Sequence, residues 1–121
     1  MVGRKMKYWI THKDLDFETY STNYLQVAWG KPDNCKYWDK DSLFIEGGLF
    51  DSLDGMMVLI RSGALPTFDF YYDTVVYEDD WIRMQHILSQ MSGEYAIFIS
   101  ELADWVGNGF ETHECFTILG V

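Results

Sequence analysis

The sequence predicts an α+β fold: one domain over residues 1–121, with a mainly antiparallel sheet of four to six strands and two or three helices. Three observations lead there. Short aromatic and β-branched runs with two-residue alternation recur along the chain. Apolar residues three and four apart mark two later segments as helical. The two kinds of segment do not alternate as a doubly wound parallel sheet requires. At 121 residues the chain has the size of one ordinary domain, and 48% hydrophobic content takes it out of the disordered class.

In chain order, residues 6–11 (MKYWIT) read as a first strand ending in the polar run 12–16. Asp14, Asp16 and Glu18 alternate with Leu15 and Phe17 as a solvated edge, without the glycine and distal glutamate of a calcium loop. Residues 24–29 (YLQVAW) form a second strand, closed by Gly30 and a turn at Pro32, Asp33 and Asn34, and able to pair with the first. Asp41 or Ser42 is placed to cap the next element. Residues 43–46 suit a short strand and 50–60 a helix, although Gly55 weakens that helix and the run 56–60 suits a buried strand equally.

Residues 68–76 alternate as a strand with Phe68, Phe70, Tyr72, Thr74 and Val76 on one side and Asp69, Tyr71, Asp73 and Val75 on the other, a row that Tyr77 continues. Glu78, Asp79 and Asp80 then supply a cap and first-turn carboxylates to a helix over 81–91, whose apolar stripe is Trp81, Met84, Leu88 and Met91. Residues 94–106 form the next helix, with 95–99 alone also fitting a strand. Gly107 and Gly109 stop it, and 110–119 alternate as the last strand.

Charge is the most informative bulk property. The chain carries a net charge of −10, unevenly spread: residues 1–40 hold seven bases against five acids, whereas 41–121 hold two bases, Arg61 and Arg83, against fourteen acids. Such a surface repels nucleic-acid phosphates and anionic lipid, and attracts cationic partners over about 8 Å at physiological salt. The apolar run 56–60 is far short of a membrane span, and the basic N-terminus lacks the apolar stretch and cleavage site of a secretory signal, so the expected compartment is the cytoplasm. There Cys35 and Cys115 are expected as free thiols.

Motifs for chemistry are sparse. His113 and Cys115 would share a strand face, but no paired ligand spacing accompanies them, and no glycine loop has the residues to cradle a phosphate. No cofactor is expected. Carboxylate pairs such as Asp69 with Asp73, or Asp51 with Asp54, are costly unless a cation sits against them. The surface where acid meets interface-type aromatics comprises Asp69, Tyr71, Asp73, Tyr77, Glu78, Asp79 and Asp80, with Glu111 and Glu114 on a further acidic surface.

From Tyr71 through the Trp81 helix and Ala103, Asp104 and Trp105 to the ending Phe116 to Val121, the chain resembles the immunity proteins of bacterial contact-dependent growth inhibition and related polymorphic toxin systems. The resemblance spans about half the chain and brings no catalytic motif. It implies a cytoplasmic protein that binds a cognate toxin C-terminal domain, often a basic nuclease, and blocks its active site or substrate surface. Two other readings fit the same residues: a phage-type acidic inhibitor of a host nucleic-acid enzyme that mimics DNA charge, and a small hydrolase.

Overall fold

In the computed structural model, described for residues 6–15, 23–53, 55–91 and 93–120, five strands form one sheet. They are β1 (Ile10–Thr11), β2 (Tyr24–Trp29), β3 (Leu43–Glu46), β4 (Thr74–Tyr77) and β5 (Cys115–Leu119). Their order is β1-β3-β2-β5-β4 and every pairing is antiparallel. The helices are α1 (Gly47–Asp51), α2 (Met56–Gly63), α3 (Glu78–Ser89) and α4 (Glu94–Val106). The fold class is thus the α+β architecture that the sequence predicts. Among the described residues no helix is long and apolar enough to cross a membrane.

The alternation of the strands sorts their side chains between two faces. Leu25, Val27, Leu43, Ile45, Val76, Phe116 and Ile118 join the core that the helices complete with residues such as Met56, Met84, Leu88 and Leu102. Each fully buried side chain of this kind contributes roughly 2 kcal/mol relative to exposure. The other face carries Tyr24, Gln26 and Phe44 under the connector between β2 and β3. Gln26 is buried, donates to the Lys36 carbonyl and Ser42 Oγ, and accepts the Trp38 N–H. Trp38, held at a left-handed φ of 63°, stacks on Phe44 at 5.8 Å.

Several sequence expectations are corrected. Residues 69–73 are not strand: the chain turns there, and β4 keeps only Thr74–Tyr77. The first strand shrinks to Ile10–Thr11 and pairs with β3, not with β2. Residues 50–60 divide between α1 and α2, and the run 56–60 is helix. Gly55 at φ 81° marks the break. The α1 cap is Glu46, whose carboxylate accepts the N–H groups of Gly48 and Leu49; neither Asp41 nor Ser42 has that role. α3 begins earlier than expected and ends at Ser89, leaving Met91 outside it. Residues 95–99 are helical, and the last strand begins at Cys115, after a short 3-10 turn at Gly109–Glu111. Of the alternating acids 14–18, Asp16 and Glu18 lie outside the described residues, as does Asp54.

The shortening of the first strand has a specific cause. Glu101 of α4 is 7% exposed, and its carboxylate accepts the backbone N–H groups of Lys7, Tyr8 and Trp9. Three amides that a strand would spend on a neighbour are spent on one side chain. Trp9 adds an Nε1–H bond to the Phe98 carbonyl. Glu101→Ala would leave these donors without their acceptor, and we expect it to lower unfolding free energy by about 3 kcal/mol or more in a denaturant titration.

Tyr8 is buried beside the same carboxylate, and its hydroxyl pKa is pushed up to about 12, first by burial and then by the charges of Glu94 and Glu101. The folded chain therefore keeps a proton that the unfolded chain releases above the ordinary value of 10.0. Stability from this source is full below pH 10 and falls as pH rises towards 12. Melting curves across that window should show a decline that Tyr8→Phe reduces.

Candidate partner-binding site

The residues singled out for partner binding lie at both ends of β4. Before the strand, Phe68 is buried and Phe70 stacks on Phe50 of α1 at 5.9 Å, so two aromatic anchors fix a turn. Asp69 Oδ1 accepts the Tyr71 N–H at 2.8 Å, the local bond by which aspartate favours a turn over a strand. Tyr71 and Tyr72 consequently point to solvent, 69% and 71% exposed.

Asp73 closes the turn onto β5 by accepting the Gly120 N–H at 3.1 Å. The backbones meet so closely there that a Cβ on Gly120 would lie 2.5 Å from Tyr71 C and Tyr72 N. Asp69 and Asp73 are thus structural acceptors as well as surface charges.

After the strand, Tyr77 is the N-cap residue of α3 and is partly exposed. Asp80 turns inward: Oδ2 accepts the Tyr77 N–H, and Oδ1 meets the Arg83 guanidinium. Glu78 and Asp79 remain exposed. The seven residues therefore do not form one patch. Asp69, Tyr71 and Asp73 stand at one end of β4, while Tyr77, Glu78, Asp79 and Asp80 stand at the other, on the order of 13 Å along the chain from Asp73.

Beside Glu78 lies a groove that no sequence period announces. Its volume is about 500 Å³, and it runs between α3 and the chain leaving α4. Glu78, Gln85, Asn108 and Glu111 line it beside Ile82 and Phe110, while Trp81 and Val106, 5% and 4% exposed, show it little surface. Trp81, a core residue by its place on the helical stripe, is buried; Phe110 is half-buried in the 3-10 turn.

Residues considered for chemistry are dispersed. His113 stacks on Trp29 at 4.9 Å, on the helix side of the sheet, and Trp29 stacks in turn on Trp105 at 5.1 Å. Cys115 faces the opposite side, so the two do not share a face as a continuous strand over 110–119 would require. Among the described residues no group of three or more His, Cys, Asp or Glu is arranged to hold a metal ion. Both cysteines are free. Burial pushes both thiols above their ordinary pKa, with the Glu114 charge adding to the effect at Cys115. The Cys35 S–H has the carbonyls of Ala28, Trp29 and Gly30 as acceptors.

Comparison with known protein families, with curated proteins and with solved structures returned no match.

This geometry sets two expected outcomes. Asp80→Ala should cost about 1 kcal/mol by removing a helix cap, whereas Glu78→Gln and Asp79→Asn should each cost less, a few tenths of a kcal/mol through the helix dipole, as melting curves would show. An aromatic disulfide reagent at neutral pH should modify the native thiols slowly and the unfolded chain rapidly, and reductant should not change the melting temperature.

Proposed function

We propose that the protein is a stoichiometric inhibitor that binds a basic toxin domain in the cytoplasm of the cell that makes both, and that it acts as an immunity protein without turnover of its own. The observation that carries this reading is the projection of Tyr71 and Tyr72, each more than two-thirds exposed, from a turn held rigid by Asp69, Asp73 and Gly120. Large aromatic side chains presented on a fixed backbone lose little entropy on binding and are enriched among interface hot spots.

The charge distribution supports the same reading. Glu78 and Asp79 lie on the same side of the sequence as twelve other acids and only two bases, one of which, Arg83, is engaged by Asp80. Such a surface accelerates encounter with a cationic protein, while aromatic anchors and desolvated pairs slow its release. A buried Cys115 and a half-buried Cys35, both with their pKa raised, support binding over nucleophilic chemistry.

The test is co-expression with the protein encoded immediately upstream of its gene, followed by calorimetry on the purified pair. Rescue of growth and one-to-one binding are expected; persistent toxicity at equal expression of folded protein would remove this reading. Joint replacement of Tyr71 and Tyr72 by Ala should weaken binding by about 2 kcal/mol, mainly through faster dissociation. Glu78→Gln with Asp79→Asn should instead slow association and flatten its salt dependence.

A further inference from the structure

We propose that the free edge of β4 is a docking line for an extended, basic segment of the partner, which joins the sheet as an added strand. This rests on the proposed inhibitor function in taking the partner to be a basic protein, and it supplies the backbone contact that holds that partner between Tyr71 and Glu78.

The first ground is the hydrogen-bond phase of the sheet. β4 is a terminal strand, paired on one side only, with β5. In an antiparallel pair, successive residues send their N–H and C=O groups alternately to the two sides. The Gly30 N–H donates to the Cys115 carbonyl, so Cys115, Thr117 and Leu119 address β2, whereas Phe116 and Ile118 address β4. The Gly120 N–H, which reaches Asp73 on the β4 side, keeps the same alternation. Across that register Thr74 and Val76 are the residues bonded to β5. Val75 and Tyr77 consequently present their backbone groups outward. Asp80 takes the Tyr77 N–H, but among the described residues nothing takes up the N–H and C=O of Val75.

The second ground is what the edge lacks. Proteins keep exposed strand edges from pairing with proline, lysine or a bulge. β4 reads Thr, Val, Val, Tyr, and its register with β5 runs without a bulge. Thr74 and Val76 lie under the helices, whereas Val75, half-buried, and Tyr77, exposed, are on the other face as surface for the side chains of an added strand.

The third ground chooses the occupant. Tyr71, Tyr72 and Asp73 stand before the strand and Tyr77, Glu78 and Asp79 after it, on the order of 13 Å away, a span that an extended chain of about four residues covers. One strand lying along β4 therefore reaches both groups, which form no single patch by themselves. No lysine, arginine or histidine occurs from Ser62 to Ile82, and Glu78 with Asp79 outweighs the roughly half positive charge of the α3 start. A cationic segment is favoured there, whereas a second copy of this acidic chain would bring its own carboxylates against the same ones.

The experiment titrates the full chain at physiological salt with the pentapeptide acetyl-Arg-Thr-Val-Thr-Arg amide, followed by NMR and amide hydrogen exchange. Saturable shifts should concentrate at 71–79, and exchange of the Val75 amide should slow at least about tenfold. The same peptide methylated on the nitrogens of its valine and the following threonine, so that neither of its edges keeps all its donors, should bind at least about tenfold more weakly. V75P removes only an outward N–H, a change that an edge strand tolerates, and the folded variant should lose binding by a similar factor. The methylated peptide carries the test whether or not V75P folds. Equal binding of the methylated peptide, retained binding by folded V75P, shifts centred elsewhere, or no saturable binding would each overturn the proposal. Self-association of the free chain that V75P abolishes would give the edge to a second copy and overturn it as well. The two readings fail separately: loss of growth rescue by the unaltered protein removes the inhibitor function, whereas retained rescue with no peptide on β4 removes the docking line alone.

Discussion

Phe116 is the point on which the helical face of this sheet turns. It is fully buried near the start of β5, and four other rings meet it: Trp29, Trp81, Trp105 and Phe110, with centroids between 5.6 and 6.0 Å away. These rings come from β2, α3, α4 and the turn before β5, so one side chain indexes four elements. Edge-on and tilted aromatic contacts contribute about 0.5–1.5 kcal/mol each beyond the area they bury. Trp81 and Phe110 also line the groove, which ties its shape directly to the core. Gly109 belongs to the same arrangement, since any Cβ there would collide with the Trp29 ring.

The structure divides the acids by what they do. Glu46, Asp69, Asp73, Asp80 and Glu101 each accept backbone N–H groups, at a helix start, in a turn, between a loop and a strand end, and beneath the N-terminal segment. Their carboxylates satisfy donors that folding takes away from water. Glu78, Asp79 and Glu111 are exposed in the structure. A net charge of −10 is therefore partly architectural, and its value for attracting a partner rests on the smaller outward-facing set.

How far the fold is legible in the sequence depends on whether a segment's pattern has one physical cause. α4 is readable with its bounds because Phe98, Ile99, Leu102 and Val106 form an apolar stripe between two glycines. β2 and β3 are readable because β-branched and aromatic residues end there at clear turn or glycine signals. The segment 68–73 misleads because Phe68 and Phe70 can enter the core from a turn as well as from a strand, and an alternating pattern is the same in both cases. Asp69 and Asp73, two turn-forming acids near the aromatics, are the signal for the turn. Glu101 also leaves a trace: it lies three residues after Phe98 and just before Leu102, an acid on the buried stripe of a helix. Such a carboxylate needs donors, although the sequence does not say that they are the amides of residues 7–9. The groove has no trace at all, because its lining residues come from separate segments that only tertiary packing brings together.

The Glu101 carboxylate also sets an order of events for a growing chain. It holds amides more than ninety positions earlier, and β1 comes directly after those amides. On a ribosome the first strand emerges long before its acceptor is made, so the N-terminal segment must wait, undocked, until α4 has formed. Closing so long a loop costs entropy that local contacts do not. The edge of the sheet opposite β4 therefore takes its final place only after α4 is made.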